Sequence, residues 1–204
     1  MAGDPLAFDD AVRLLQSGGV LLLGTDTLPG FHCRADLPAS VDRILTLKGR
    51  SPGKSLLVLA GSVEQTSLVT GPLEGRQSSY CARCWPGPFS LILPSGGELA
   101  PQVKAANGTV AVRVPAVPSL RDLILEVGFP VVSTSANLSG QPPSGNLETA
   151  CRAFSDQVNG SWQPPENVPV DSNKEQPGPS ALIDLTVWPP VELRPGPQKA
   201  PQPE

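Results

Sequence analysis

Histidine is nearly absent from this chain, and aromatic and charged residues are scarce. Its 204 residues include one His, one Tyr, three Trp and five Phe, and 17% of them are charged. A Ser-His-Asp triad could use only His32, and the G-x-S-x-G motif that carries the serine in many hydrolases does not occur. We therefore predict that His32 lies in the core. Aromatic residues this few and scattered also argue against a stacking surface for single-stranded nucleic acid.

Cysteine is too rare for a disulfide-stabilised fold. The chain has four cysteines, and two of them, Cys81 and Cys84, form a single C-x-x-C pair. A structural zinc site needs four ligands, and neither a second pair nor a histidine lies nearby, so we expect no metal site. A thioredoxin-type pair should lie near the start of a βαβ unit, which leaves a redox role as the weaker alternative. Reduced cysteines fit a cytoplasmic protein.

Long apolar runs and a basic leader are also missing. No run reaches the length of about 18 residues that a membrane-spanning helix requires, and the opening MAGDPLAFDD lacks the basic region of a signal peptide. We therefore expect no membrane association. The net charge of −4 argues against a surface built mainly for nucleic acid. A local basic pocket is compatible with this charge, because basic residues outnumber acidic ones in the stretch 34–54: Arg34, Arg43, Lys48, Arg50 and Lys54 against Asp36 and Asp42.

Proline is abundant, with 25 residues, many of them in the last third of the chain. We predict a long loop over 155–179 and a disordered, proline-rich tail over 197–204. Upstream, apolar runs without alternation, typical of buried strands, alternate with segments of helical periodicity. This order predicts an α/β fold in a single domain, residues 5–196. The predicted strands are 20–23, 55–60, 89–93, 109–114, 131–134, 181–185 and 191–193, and the predicted helices are 8–15, 39–48, 62–84 in two pieces, 120–127 and 147–154.

Polar residues follow several predicted strands, where ligands of α/β sheets tend to bind. The segment GTDTLPG, residues 24–30, offers hydroxyls and a carboxylate, but it also fits an ordinary turn with side-chain to backbone hydrogen bonds. The segment KGRSPGK, residues 48–54, concentrates three cations around two glycines. It is not a P-loop, because only three residues separate its glycines and a strand follows it. A lysine at the C-terminal end of a helix is stabilised by the helix dipole, which accounts for Lys48 but not for the other two cations. The alternative interpretation is that the three cations bind an anion.

Two further segments carry polar residues on buried strands. In TVAVRVP, alternation places Thr109, Ala111 and Arg113 on one face. A buried Arg113 requires a partner, which is either an internal carboxylate or an anionic ligand in a cavity. In VVSTSANLSG, residues 131–140, a buried strand runs into hydroxyls and an amide. These groups suit phosphate or a nucleoside, and they also suit a helix cap or a turn.

Several motifs, taken together, resemble those of one known family. Lys48-Gly49-Arg50 and Ser135-Ala136-Asn137 look like a paired K-x-R and S-x-N signature. RCWPGPFSLILP, TVAVRVP, VVSTSANLSGQPP, GPSALIDL and ELRPG are similar to further motifs of the same family and occur in the same order. The family is that of the YrdC-like threonylcarbamoyl-AMP synthases, and the resemblance covers about residues 8–196. It implies an α/β domain with a twisted mixed sheet around a large, positively charged cavity.

The resemblance implies an enzyme that joins L-threonine, bicarbonate or CO2, and ATP into threonylcarbamoyl-adenylate and pyrophosphate. A partner transferase complex would then move the threonylcarbamoyl group to an adenosine of tRNA. Mg2+ would come with ATP and be held mainly by its phosphates, and no tightly bound cofactor is implied. Lys48 and Arg50 are the implied catalytic residues. The implied nucleotide-binding residues are Lys48, Arg50, Lys54, Thr109, Ser135, Asn137 and Ser180, and the implied threonine-binding residues are Thr25, Arg113 and Ser133.

The chain departs from the family pattern after the first strand. Leu23-Gly24 stands where the family has Tyr-Pro, and Pro29 replaces a second tyrosine. These changes touch the amino-acid side of the pocket, so a paralogue that activates another carbamoylated amine is an alternative. A positive cavity would also suit a non-catalytic module that binds RNA, which is the second alternative. Weak RNA binding is compatible with the enzyme as well.

Overall fold

The computed structural model describes residues 4–49, 56–166 and 178–203. Within these ranges the chain forms six α-helices, nine strands and three short 3-10 turns. The helices are α1 (Phe8–Gln16), α2 (Pro38–Lys48), α3 (Ser67–Thr70), α4 (Gly75–Cys84), α5 (Pro118–Val127) and α6 (Leu147–Phe154). The strands are β1 (Leu21–Leu23), β2 (Gly30–Arg34), β3 (Leu57–Leu59), β4 (Phe89–Pro94), β5 (Thr109–Arg113), β6 (Val131–Ser135), β7 (Gly160–Trp162), β8 (Ala181–Asp184) and β9 (Val191–Arg194).

All nine described strands belong to one mixed sheet. Its order is β7-β1-β2-β6-β3-β5-β4-β8-β9. The pairs β1–β7, β3–β5 and β4–β8 are parallel, and the other neighbours are antiparallel. The predicted α/β fold, with a mixed sheet flanked by helices, is confirmed. The domain limits of 5–196 stay a prediction.

The first strand shows how helices cover both faces of the sheet. Leu21, Leu22 and Leu23 are all fully buried. Leu21 and Leu23 pack in a cluster with residues of α1 and α5, whereas Leu22 belongs to a second cluster that contains residues of α2, α4 and α6. Because side chains alternate across a strand, an unbroken leucine run supplies both clusters.

Helix limits follow from local signals in the sequence. The helix predicted over 39–48 is α2, which begins at Pro38 and ends before Gly49. Proline suits the first helical position, and Gly49 adopts the left-handed conformation, with φ of 56°, that commonly ends a helix. The longest described helix, α2, has 11 residues. None of the helices in the described ranges is long and apolar enough to span a bilayer.

Two strands were not predicted from sequence. β2 begins at Gly30, where the patterns predict only a turn, and β7 lies inside the predicted loop over 155–179. That loop prediction is wrong at its beginning, because residues 155–157 form a 3-10 turn and 160–162 form β7, while 167–177 lie outside the described residues. Both strands pair with β1, and β7 lies far from β1 in the sequence. Their pairing, rather than local periodicity, makes them strands.

The chain after β9 lies against α4. Tyr80 Oη donates to the Pro201 carbonyl oxygen at 3.0 Å, and Ala200 packs against the hydrophobic core. Gly196 passes so close to Ala181 that a Cβ on it would lie 2.2 Å from the Ala181 nitrogen. The disorder predicted for 197–204 stays a prediction, and these contacts argue against it.

Candidate active site

A cavity of about 290 Å³ opens on the sheet near the middle strands. Its volume lies near the lower end of the range of about 300–1,000 Å³ that is typical of ligand pockets. Its lining combines two guanidinium groups, several hydroxyls and two leucines. The lining residues are Thr27, Leu28, Leu57, Arg113, Ser133, Thr134, Ser135, Pro179, Ser180 and Arg194.

The register of the sheet explains why these residues meet. Ser133 in β6 pairs with Leu57 in β3, and Leu57 pairs with Ala111 in β5, two residues before Arg113. Directly paired residues point to the same face of a sheet, as do residues two apart on one strand. The segments 24–30, 109–115 and 131–140, which are far apart in sequence, therefore contribute to one cavity.

Lys48 connects the end of α2 to the segment after β6. Its Nζ donates to the Ser135 carbonyl oxygen at 2.5 Å, to the Asn137 carbonyl oxygen at 3.0 Å and to Asn137 Oδ1 at 2.9 Å. Only 5% of Lys48 is exposed. An ammonium group has three donors, and these acceptors match them. The K-x-R and S-x-N motifs thus meet through Lys48, whose charge lies directly behind the Ser135 wall of the cavity.

Asn137 uses both ends of its amide in this connection. Its Nδ2 donates to the carbonyl oxygens of Leu138 and Gln141 at 3.0 and 2.6 Å. Its Oδ1 accepts from Lys48 and also from Ser135 Oγ, at 2.6 Å. With its proton given to Asn137, the Ser135 hydroxyl offers lone pairs to the cavity that it lines.

Arg113 is a buried cation at the end of β5. Only 1% of it is exposed. Its Nη2 lies 3.2 Å from Asp26 Oδ1, and its Nη1 donates to Thr27 Oγ1 at 3.1 Å. Burial lowers the pKa of the Arg113 guanidinium, and Asp26 acts in the opposite direction. Of the two partners left open by the sequence, an internal carboxylate is present, and Arg113 also lines a cavity.

The turn over 25–28 is organised by the hydroxyl of Thr25. This Oγ1 accepts from the Thr27 N–H at 3.2 Å and donates to the Leu28 carbonyl oxygen at 2.9 Å. Thr25 therefore has the role expected of an ordinary turn, and it is not among the described residues that line the cavity. The turn presents Thr27 and Leu28 to the cavity instead. Its carboxylate, Asp26 Oδ2, accepts from the Ala116 N–H at 3.1 Å.

Ser180 and Arg194 form the opposite wall. Ser180 Oγ shares a hydrogen bond of 2.7 Å with Ser90 Oγ, and its carbonyl oxygen accepts from Arg194 Nε and Nη2 at 3.2 and 2.9 Å. Burial lowers the pKa of Arg194, and repulsion from Arg113 lowers it further. An anion between two cations that repel each other would stabilise both. Sequence reasoning missed Arg194, although the ELRPG motif contains it.

Thr109 lies apart from the cavity, at the beginning of β5. Four residues of strand place it about 13 Å from Arg113, and its Oγ1 donates to Asn107 Oδ1 at 2.7 Å. Arg50 and Lys54 lie outside the described residues. The positive charge predicted for the cavity stays a prediction, because the carboxylate of Asp26 offsets one of the described cations.

His32 and the C-x-x-C pair lie in the core. His32 is fully buried and pairs with Ser133 across the sheet, which confirms the prediction. Its Nδ1 donates to the Gly30 carbonyl oxygen at 2.9 Å, and burial lowers its pKa to about 3. Burial also raises the pKa of Cys81 and Cys84 to about 12, so few of these thiols ionise near neutral pH. No cluster of three or more metal-ligating side chains occurs within the described ranges.

Sequence relatives identify the family. The family model Sua5_yciO_yrdC, described as "Telomere recombination", matches residues 13–196. The threonylcarbamoyl-AMP synthase of Chromohalobacter salexigens is 34% identical over 149 residues, which are 73% of this chain and 80% of that protein. The protein of the same name from Hahella chejuensis is 36% identical over 148 residues, 72% of this chain and 80% of its own. This chain belongs to the Sua5/YciO/YrdC family, as the motifs predict.

Solved structures share the fold. P. abyssi Sua5 complexed with L-threonine has a TM-score of 0.81 and 29% identity, and the match covers 93% of this chain and 54% of that one. This chain therefore spans about half the length of that Sua5. E. coli YciO, at 22% identity, has a TM-score of 0.79 over 94% of this chain and 90% of its own, which shows a common fold.

Proposed function

We propose that the chain is a threonylcarbamoyl-AMP synthase, an enzyme that forms threonylcarbamoyl-AMP and pyrophosphate from L-threonine, bicarbonate or CO2, and ATP. Relatives of this name, 34% and 36% identical over most of the chain, support the activity. One structural observation carries the proposal. Lys48 joins the K-x-R end of α2 to the Ser135–Asn137 segment, beside a cavity that Arg113 and Arg194 line.

The reaction needs positioning and charge compensation more than acid–base chemistry. The threonine amine first combines with CO2, or with bicarbonate with release of water, to give a carbamate. An oxygen of the carbamate then bonds to the α-phosphorus of ATP, and the bond from that phosphorus to the bridging oxygen of pyrophosphate breaks. Because the reacting groups are all anionic, fixed cations and hydrogen-bond donors around the phosphates lower the barrier.

The threonine side of the site is assigned to Thr25, Arg113 and Ser133. Arg113 can offer a planar fork to the threonine carboxylate, and its Nε has no hydrogen-bond partner among the described residues. Ser133 adds a hydroxyl to the same wall, while Leu28 and Leu57 supply an apolar surface for the threonine methyl group. Thr25 acts by shaping the turn beside them.

The nucleotide side is assigned to the K-x-R and S-x-N motifs, with Lys48 and Arg50 as catalytic counter-charges. The hydrogen bonds of Lys48 Nζ go to Ser135 and Asn137. Lys48 therefore acts on the phosphates through its charge and by fixing the position of the segment after β6. Between Thr109 and Arg113 the strand face carries only Ala111, whose single methyl group leaves room for an extended ligand. The nucleotide-binding residues are Lys48, Arg50, Lys54, Thr109, Ser135, Asn137 and Ser180.

Mg2+ fits this site as part of the ATP complex. The described lining includes several residues with hydroxyl groups, but the nearby carboxylate of Asp26 is engaged by Arg113 and by the Ala116 N–H. Phosphate oxygens and water would therefore supply most of the ligands that Mg2+ requires. The chain's own contribution is to hold the phosphates that carry the ion.

The chemistry of the product indicates which enzyme consumes it and where the reaction takes place. Threonylcarbamoyl-AMP is a mixed anhydride, so a transferase complex acting on tRNA is the expected consumer, and the cytoplasm is the expected compartment. Weak direct binding of RNA belongs to the same proposal. The residues that carry it would be the cations of the cavity, and it would weaken steeply with salt.

Pyrophosphate release from ATP, with L-threonine and bicarbonate each present or withheld, tests the function. We expect release only when both are present. Release with another amino acid in place of threonine would indicate the paralogue, as the changes at 23–29 suggest. No turnover with any amine, together with salt-sensitive binding of RNA, would favour the RNA-binding module.

A further inference from the structure

We infer that Asp26 is a positioning residue, which holds the Arg113 guanidinium in the direction in which it meets the amino-acid substrate. The inference rests on the proposed function, because it uses the assignment of Arg113 to the threonine side. Asp26 is not among the described residues that line the cavity, whereas Arg113 is. Asp26 therefore acts through Arg113 and not by contact with the substrate.

The orientation of Arg113 depends on one turn of the chain. An arginine side chain has several rotatable bonds, and the strand that carries it fixes only the first of them. The guanidinium forms an ion pair with Asp26, at 3.2 Å from Nη2, and a hydrogen bond with Thr27, at 3.1 Å from Nη1. Both belong to the turn between β1 and β2. A change in this turn would therefore change where the guanidinium points.

Asp26 is itself held on its second oxygen. Its side chain is 8% exposed, and Oδ2 accepts from the N–H of Ala116, three residues after Arg113 in the chain. The carboxylate thus bridges the guanidinium and the backbone just beyond the same strand. The Thr25 hydroxyl fixes the turn from its other side. These hydrogen bonds fix the position of the Asp26 carboxylate without any contact from the substrate.

The ion pair leaves Arg113 with unused hydrogen-bonding capacity. Asp26 Oδ1 and Arg113 Nε both lack a hydrogen-bond partner among the described residues, although the two side chains form an ion pair. Asp26 therefore holds Arg113 mainly by charge, and it does not occupy the guanidinium with a bidentate fork. A carboxylate of the substrate can use the donors that remain. Without Asp26, a buried cation would be left uncompensated, and the guanidinium would turn towards water.

The experiment compares Asp26→Asn and Asp26→Glu with the wild type. Asparagine keeps the shape and the acceptor for Ala116 but removes the charge, and glutamate restores the charge. Asp36→Asn is the matched control, because Asp36 pairs with Arg34 at 2.6 Å, is partly buried and does not line the cavity. The readouts are the KM for L-threonine, the KM for ATP, and the rate at which a dicarbonyl reagent modifies Arg113, measured by peptide mass spectrometry.

We expect Asp26→Asn to raise the KM for L-threonine by about tenfold or more, since a misplacement of about 1 Å can cost about a hundredfold. The KM for ATP should change by less than about twofold, because uniform damage would affect both substrates. Asp26→Glu should recover most of the threonine affinity, and Asp36→Asn should leave both values as in the wild type. Modification of Arg113 should be faster in Asp26→Asn alone.

Three outcomes would overturn the inference. The first is an unchanged KM for threonine in Asp26→Asn. The second is a parallel rise in both KM values with a lower Tm, which would indicate a structural role only. The third is an unchanged rate of Arg113 modification. If the wild type shows no threonine-dependent turnover, the proposed function fails, and the modification rates alone then decide whether Asp26 positions Arg113.

Discussion

Lys48 is the side chain on which the nucleotide side of the site depends most. Replacing it with methionine keeps most of the stem and removes the charge and three donors. We expect pyrophosphate release to fall by about a hundredfold or more, because the site loses a fixed charge near the phosphates and the contact that positions Ser135 and Asn137. The free energy of unfolding should fall by about 1–3 kcal/mol, because acceptors of Ser135 and Asn137 lose their donor. Lys104→Met changes an exposed lysine outside the cavity and serves as the control; full activity in Lys48→Met would contradict the assignment.

His32 predicts an acid-sensitive stability. Its pKa falls from 6.5 to about 3 on burial, so the folded state excludes a proton that the unfolded state binds below pH 6.5. Stability is therefore lost as the pH falls from 6.5 towards 3, by up to about 1.4 kcal/mol per pH unit, or about 2 kcal/mol at pH 5. Urea unfolding of the wild type and of His32→Leu between pH 7 and pH 5 measures this. Equal pH dependence in the two proteins would show that His32 is not the cause.

The sequence does not show which residues pair with each other in the site. The patterns predict that Arg113 needs a partner, but they do not identify Asp26, 87 positions earlier, because pairing across a fold leaves no periodic signal. Arg194 was missed for the same reason, although its motif was recognised. Lys48, Ser135 and Asn137 were predicted together by resemblance, and the physical contact among them explains why their motifs occur as a pair.

At the scale of elements, the end of α2 sets the position of Lys48. Gly49 is left-handed, and its N–H bonds to carbonyl oxygens of the last helical turn. An alanine there finds open space but must adopt a conformation that costs about 1–2 kcal/mol. We expect Gly49→Ala to lower both the Tm and the rate of pyrophosphate release, and Gly49→Asn, which tolerates this conformation, to lower them less. Equal stability of all three proteins would show that the cap does not constrain Lys48.

Strands with strong apolar runs were predictable, and strands defined by their neighbours were not. β1 and the start of β6 are buried on both faces and read as continuous apolar runs. β2, with the sequence GFHCR, mixes glycine, histidine and arginine, and β7 has only three residues in a polar stretch. Both become strands because β1 offers them hydrogen-bonding partners. β2 also carries Gly30, where a Cβ would lie 2.6 Å from the Thr134 carbonyl oxygen, so a close approach between strands accounts for that glycine.

At the scale of the whole molecule, an acidic chain gathers cations at one place. The net charge is −4, yet Lys48, Arg113 and Arg194 come from α2, β5 and β9 to the same part of the sheet. A cleft with low-dielectric walls focuses the field of such charges. If ATP is the substrate, as we propose, it would meet the local charge of these three side chains and not the average charge of the surface.

The most direct test of the proposed activity is to identify the product itself. The protein is incubated with ATP, L-threonine and either ordinary or carbon-13-labelled bicarbonate, and the adenylates formed are analysed by mass spectrometry. The predicted result is threonylcarbamoyl-AMP whose mass increases with the labelled bicarbonate, together with pyrophosphate. A protein that binds ATP but forms no adenylate containing both threonine and the labelled carbon would contradict the assignment as a threonylcarbamoyl-AMP synthase.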